Sequence, residues 1–325
     1  MTKTENRIKI APKDTVSQGW VNRLSPDFAW PYLQLMRADR PIGTWLLLWP
    51  GLWSIALASH VRMTGQITGS ITSQMFGWTT AIAYMLLFAI GAFVMRGAGC
   101  VVNDLADRKY DALVERTKGR PLPSGRVSVL QAFIFLGALC LIGLAILLQL
   151  NEFTIWLGVG SLGLIIIYPF MKRFTYWPQV VLGLTFNWGA LMGWAAITGE
   201  LSGAALLLYV GGLFWTLGYD TIYAHQDKED DALIGVKSTA LRLAENTPRW
   251  LLFFYAAMLT LFAGSGYLAD IGTLYYGGLM IVAGHCLWQI RSLRMDDSAN
   301  CLRLFKANHI LGLIMFLGII AGHYI

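Results

Sequence analysis

Three aspartates, Asp104, Asp107 and Asp111, stand at i, i+3 and i+7 in the stretch NDLADRKYDALVERTKGRPLPSG, residues 103–125, directly after a long apolar run. If the helix of that run continues a turn or two past a bilayer, the three carboxylates share one face. Carboxylates about 5 Å apart at an effective dielectric near 20 repel by roughly 3 kcal/mol per pair, so such a face attracts cations, and a divalent metal is the natural partner. A second stretch, DTIYAHQDKEDDALIGVK at 220–237, also follows an apolar run and sets Asp220, Asp227 and Asp231 at helical spacing. The pair Asp107 and Asp111 recurs as Asp227 and Asp231, followed by ALV in one case and ALI in the other, which has the form of an internal repeat. Together the two stretches hold nine of the chain's 19 acidic residues, more than solvation of helix ends requires.

Carboxylates beside Lys and Arg are what Mg2+ and a diphosphate need: the ion takes one or two carboxylates, keeps some water and fills its octahedron with phosphate oxygens. Two clusters imply more than one ion. Arg108, Lys109, Arg116, Lys118 and Arg120 follow the first cluster, and Lys228, Lys237 and Arg242 the second, placed to meet the remaining phosphate charge. With an allylic diphosphate as substrate, metal and cations would stabilise the leaving group as the C–O bond breaks. Either D-x-x-x-D alone reads more readily as a solvated helix end than as a site. The repetition, the placement on one side of the membrane and the flanking basic residues argue for a site. A proton or ion pathway would put its carboxylates in mid-span, where this chain is largely apolar.

The elements that must position these residues are membrane helices. The 325 residues are 56% hydrophobic and 14% charged, whereas a soluble globule carries about a quarter charged residues. Runs of spanning length fall at about 41–59, 76–102, 127–149, 153–170, 178–198, 203–224, 250–268, 271–290 and 307–325. The net charge of +6 comes from Lys and Arg in short segments between alternate runs, which the positive-inside rule explains better than nucleic-acid binding. It predicts an all-α polytopic protein with nine spans, amino terminus cytoplasmic and carboxyl terminus outside. Residues 1–36 form a tail and interfacial segment and 37–325 a single domain. The tail has no apolar segment of the signal-peptide kind. Phe28–Met36 suits an interfacial helix with Trp30 and Tyr32 at headgroup level. Four spans separate the two acidic stretches, so both emerge on the cytoplasmic side. Arg96, inside the second run, has to face a protein cavity or an acidic partner, or snorkel to the interface. The four cysteines have neither metal-ligand spacing nor a redox motif.

The segments RADRPIGTWLLLWP (37–50), RGAGCVVNDLADRKYD (96–111), RTKGRPLPSG (116–125), YPFMKRFTYWPQVVLG (168–183) and GYDTIYAHQDKEDD (218–231) closely resemble the UbiA superfamily of intramembrane aromatic prenyltransferases. N-D-x-x-D-x-x-x-D marks the superfamily, and YDTIYAHQDKEDD points to the branch that acts on 4-hydroxybenzoate. The resemblance implies nine helices around a central cavity open laterally to lipid. It implies one Mg2+ on Asn103, Asp104, Asp107 and Asp111 and another on Asp227 with Asp231, bridging the diphosphate of a polyprenyl diphosphate. Asp107, Asp111, Asp227 and Asp231 would be the catalytic carboxylates. The product would be 3-polyprenyl-4-hydroxybenzoate, in ubiquinone biosynthesis, made at a bacterial inner membrane with the site facing the cytoplasm. Lys172 and Arg173 are candidates for the substrate carboxylate, with plain positive-inside anchoring as the alternative. Arg40 either touches a substrate or fixes the start of the first span. Tyr223 and His225 either pack or accept the proton. No obligate protein partner is evident. The competing readings are another aromatic acceptor, or a carrier that binds an isoprenoid diphosphate or metal without reacting it.

Overall fold

The computed structural model describes residues 19–65, 77–112 and 117–324, apart from the side chains of Tyr110, Asp230, Asp231 and Ile234. Among the described residues all regular structure is helical. Two short helices, α1 (Trp20–Leu24) and α2 (Trp30–Leu35), precede α3 (Ile42–Met63), α4 (Trp78–Asp111), α5 (Val129–Leu147) and α6 (Glu152–Phe174). There follow α7 (Pro178–Phe186), α8 (Trp188–Thr198), α9 (Gly203–Ala224), α10 (Lys228–Ile234), α11 (Thr239–Leu243), α12 (Thr247–Leu268), α13 (Leu274–Ser292) and α14 (Ser298–Gly322). Several helices start where a side chain satisfies the first free N–H groups: Ser128 with Gln131 in a capping box, and Asn151, Ser202 and Asp297 each bonding the N–H three residues on.

Eight helical segments among the described residues are long and apolar enough to cross a membrane. The run at 271–290 folds as α13, whose 19 residues include His285, Gln289 and Arg291 and are not among those eight. In α5 and α6 only 11% of the apolar span is buried, and the side chains left outside are Leu, Ile, Phe and Trp, as a hydrocarbon surround requires. The run at 178–198 is broken at Asn187. Its side-chain amide donates to Gly183 O and Thr216 Oγ1, both at 2.8 Å, and its carboxamide fills the space beside Gly212 that a Cβ would need.

The chain forms two compact units. The first comprises residues up to Thr44 together with Ile90–Gln149. Its core gathers Val21, Trp30, Leu35, Val94, Ala98, Val101, Leu122, Ala132 and Leu139. Trp30 is packed within this unit: it is 7% exposed, donates from Nε1 to Asn22 Oδ1 at 2.8 Å, and lies under the Arg126 guanidinium, 4.8 Å from its ring centroid. Trp20, Leu24 and Phe28 are the exposed apolar residues of this segment instead.

The second unit comprises Trp45–Ala89 and Leu150–Ile325. Its core is aromatic, with Trp53 packed on Trp215 (centroids 5.0 Å apart) and Phe262 (5.5 Å). A buried polar network ties four of its helices together. Trp215 Nε1 donates to Asn308 Oδ1 at 3.0 Å, Gln289 and Asn308 exchange bonds at 3.3 and 3.2 Å, and Tyr255 donates to Gln289 Oε1 at 3.0 Å. Asn308→Leu should take the acceptor from Trp215 Nε1 and Gln289 Nε2 and destabilise the unit by about 1–3 kcal/mol. Thermal unfolding of the variant in detergent against wild type checks this, and an equal or higher Tm would contradict it.

Candidate active site

At 34 residues α4 is about 50 Å long, well beyond the roughly 30 Å hydrocarbon layer, so its carboxyl-terminal turns carry the first acidic motif past the span. Asp104, Asp107 and Asp111 fall on one face, as their spacing predicts, and that face is turned into the first unit: they are 1%, 3% and 9% exposed. Ionised carboxylates so buried need partners. Arg37 Nη2 donates to Asp104 Oδ1 at 2.7 Å, and Arg120 Nη1 donates to Asp104 Oδ1 at 3.3 Å and to Asp111 Oδ2 at 2.9 Å. Two motif carboxylates thus converge on one guanidinium nitrogen. Burial pushes the Asp111 carboxyl above the usual carboxylate range, with Arg120 opposing the shift.

Local folding explains how the arginines arrive. In RPLPSG, Ser124 Oγ donates to Arg120 O at 2.7 Å, Val127 N to Pro121 O at 3.0 Å, and Gly125 takes φ +73, a value that suits glycine. Arg126 fastens this loop to α2 by donating to Gly119 O at 2.6 Å and to Gln34 Oε1 at 2.8 Å. Arg37 ends α2 in a Schellman arrangement: Ala38 N donates to Leu33 O at 2.9 Å and Arg37 N to Gln34 O at 3.0 Å. The residue between, where glycine is usual, is Arg37 itself at φ +55. Sequence reasoning passed over Arg37; its only local signal is the clustering of Arg37, Asp39 and Arg40 just before a span.

Among the other basic candidates, Arg40 is half-buried and paired with Asp39 at 3.2 Å. Lys109 and Lys118 are exposed, Lys109 because it falls on the side of α4 opposite Asp107. Arg116 lies outside the described residues. Asn103 is half-buried beside Asp104. Arg96 turns toward protein: its guanidinium bonds Cys100 Sγ and packs against Gly43, leaving no room there for a Cβ.

The second motif belongs to the second unit. Asp220 is in the last turns of α9, near the Gln179 side chain, whose Oε1 accepts from Thr239 N at 3.4 Å. α9 stops at Ala224, a 3-10 turn spans His225–Asp227, and α10 carries Asp231 one helical turn beyond the half-buried Asp227. Asp231's side chain is outside the described set. Tyr223 stacks on Phe305 with centroids 4.5 Å apart, and His225 Nε2 lies 3.0 Å from Thr247 Oγ1. The loop after α10 docks on the end of α6: Lys237 N donates to Lys172 O at 2.9 Å and its Nζ to Phe174 O at 3.3 Å. Lys172 is half-buried, and the exposed Arg173 lies over the Phe170 ring.

Among the described residues no three His, Cys, Asp or Glu side chains are drawn together as a metal cage. The donor set still fits Mg2+. That ion uses few protein carboxylates and completes its shell with phosphate oxygens and water, and the arginines now on Asp104 and Asp111 are of the kind that binds phosphate.

An all-helical membrane fold with an acidic face of this pattern is the setting in which the chain's relationships become clear. Residues 47–320 match the model of the UbiA prenyltransferase family, and the chain belongs to that family. It is 53% identical over 293 residues to "4-hydroxybenzoate polyprenyltransferase, mitochondrial" of Drosophila melanogaster, covering 90% of this chain and 71% of that protein. The protein of the same description in Arabidopsis thaliana is 48% identical over 304 residues, covering 93% and 71%. In fold it matches a UbiA homolog from Archaeoglobus fulgidus bound to GPP and Mg2+, with a TM-score of 0.63 and 17% identity over 91% of this chain and 100% of that one. These relatives overturn the expected bacterial inner-membrane location, since the similar curated enzymes are mitochondrial. Composition reports that helices sit in a bilayer; it carries no mark of which membrane.

Proposed function

We propose that this chain transfers a polyprenyl group from a polyprenyl diphosphate to 4-hydroxybenzoate, at the carbon ortho to the phenol. The observation that carries the reading is the buried face of Asp104, Asp107 and Asp111 held by Arg37 and Arg120, in a chain about half identical to enzymes named for that reaction. Asn103, Asp104, Asp107 and Asp111 would hold one Mg2+, and Asp227 with Asp231 a second. Bound Mg2+ supplies Lewis-acid stabilisation of the departing diphosphate. Arg120, with Arg40, Lys109, Arg116, Lys118 and Lys237 as further candidates, neutralises the phosphate charge that the metal leaves over. The isoprenoid tail stays in hydrocarbon, and water kept from the buried carboxylate face cannot intercept the allylic cation. Attack by the ring carbon and loss of its proton restore aromaticity.

The test is release of diphosphate and prenylated product from the purified protein in lipid, given 4-hydroxybenzoate and geranyl diphosphate, with and without Mg2+. Mg2+-dependent product supports the reading. Reaction with a different aromatic acceptor alone would change the branch, and tight donor binding without diphosphate release would make the chain a carrier. With Arg173 on the substrate carboxylate, Arg173→Ala is expected to raise the KM for the aromatic acid about tenfold, roughly 1.4 kcal/mol, and that for the donor much less. Equal shifts in the two constants would remove Arg173 from that role.

A further inference from the structure

We propose that His225 is a positioning residue for the second acidic pair: by donating from Nε2 to Thr247 Oγ1 it fixes the turn that carries Asp227, and so holds that carboxylate in place for the metal. The ring acts through Asp227 and not on the substrates. This rests on the reading of Asp227 and Asp231 as ligands of a metal ion.

The two acidic motifs are built differently. Asp104, Asp107 and Asp111 ride on the unbroken α4, so helical geometry alone spaces them. In the second motif α9 ends at Ala224, His225–Asp227 form a 3-10 turn, and α10 begins only at Lys228. A short 3-10 piece between two helices is a hinge unless something outside it fixes its angle. His225 supplies such a tie. It is 4% exposed, and its Nε2 lies 3.0 Å from Oγ1 of Thr247, a fully buried residue that starts α12. The Thr247 hydroxyl already donates to Ala244 O at 2.7 Å, so it can only accept from the imidazole, and the ring is held with its proton on Nε2. Nδ1 has no hydrogen-bond partner among the described residues, so the polar hold on the ring is this one bond. Ala244 takes φ +44, a backbone value that is costly for a residue with a Cβ and persists where its surroundings enforce it. Here it aims the carbonyl that orients the Thr247 hydroxyl. From α14, Ser298 Oγ also donates to Gln226 O, but at 3.3 Å and in an exposed position, where water replaces the bond at little cost. The buried bond of His225 has no such substitute.

The experiment uses the full chain in lipid nanodiscs and cuts the bond from each side. Thr247→Val keeps the volume and removes the acceptor, and His225→Leu removes the donor. Thr247→Ser keeps a hydroxyl, and His225→Gln keeps an N–H where Nε2 stood. Backbone amide exchange over 225–231 is read in EDTA without substrate. The Mg2+ concentration for half-maximal transfer from geranyl diphosphate to 4-hydroxybenzoate is read on the same preparations. In Thr247→Val and His225→Leu, exchange is expected to be about tenfold faster. Their Mg2+ requirement should rise about tenfold, as when an outer partner of a metal ligand is lost, with the KM for the aromatic acid within about twofold of wild type. Thr247→Ser and His225→Gln should stay near wild type in both readings. Thr247→Val, the milder change, carries the test if His225→Leu does not fold. Unchanged Mg2+ requirement in the cut variants, with or without faster exchange, overturns the proposal and leaves the bond a contact of the fold. So does an equal rise in the KM for the aromatic acid, or a His225→Gln variant that behaves like His225→Leu. In each of these cases wild type still needs Mg2+, and the metal reading stands. If wild type transfers without Mg2+, the metal reading itself falls and takes the proposal with it, whatever the exchange shows.

Discussion

Asp107→Asn is expected to reduce prenyl transfer about a thousandfold or more, roughly 4 kcal/mol of transition-state stabilisation, in a chain that still inserts and folds. Asp107 lies between Asp104 and Asp111 on the buried face of α4 and is 3% exposed. The amide keeps the shape and one acceptor oxygen but loses the charge that a hard divalent ion requires. Folding should tolerate it, because neutralising the middle of three like-charged neighbours relieves repulsion. Asp227→Asn, at the end of the 3-10 turn after α9, should have a comparable effect through the second ion. Product formation from labelled donor, with circular dichroism and size exclusion on the same preparations, separates lost chemistry from lost structure. Retained turnover in both variants would end the assignment of the two motifs as Mg2+ sites.

How much of this could be read from the residues depends on how local each feature is. Apolar runs of about 20 residues report spans directly, and among the described residues each run is carried by one helix or, at 178–198, by two. The shared face of Asp104, Asp107 and Asp111 follows from helical period alone, once the helix is long enough to reach them. Arg37 was not legible in that way, because its partner Asp104 is 67 positions away and its left-handed backbone is set by the end of α2 rather than by its own preference. The partners of Trp30 were not legible for a related reason. Tryptophan suits a membrane interface on composition alone, whereas the bond to Asn22 and the cation of Arg126 that hold this one inside the first unit depend on tertiary packing. The break at Asn187 falls within a continuous apolar run, and its cause is Thr216 on another helix. The compartment was beyond the sequence's physics altogether.

Arg120→Ala carries the other large expected effect, and here the effect is on stability. The side chain is buried and its Nη1 serves Asp104 and Asp111 together, so alanine leaves two inward-facing carboxylates short of a counter-ion. Removing one partner of a buried ion pair costs about 3–5 kcal/mol, much of it the desolvation of the charge left behind. Arg37 still reaches Asp104 and some water will enter, so a loss near 3 kcal/mol is the expectation, read as a lowered Tm in EDTA. Asp111 should feel it most, having Arg120 as the leading opponent of its burial. Asp111→Asn in the Arg120→Ala background should therefore recover part of the loss, with a coupling energy of at least about 1 kcal/mol in the double-mutant cycle. A simple additive cycle would mean that Arg120 stabilises the loop through RPLPSG packing and not through its charge. Arg120→Met distinguishes these further. It restores packing volume without charge, so it should rescue the alanine variant only if packing is the dominant contribution.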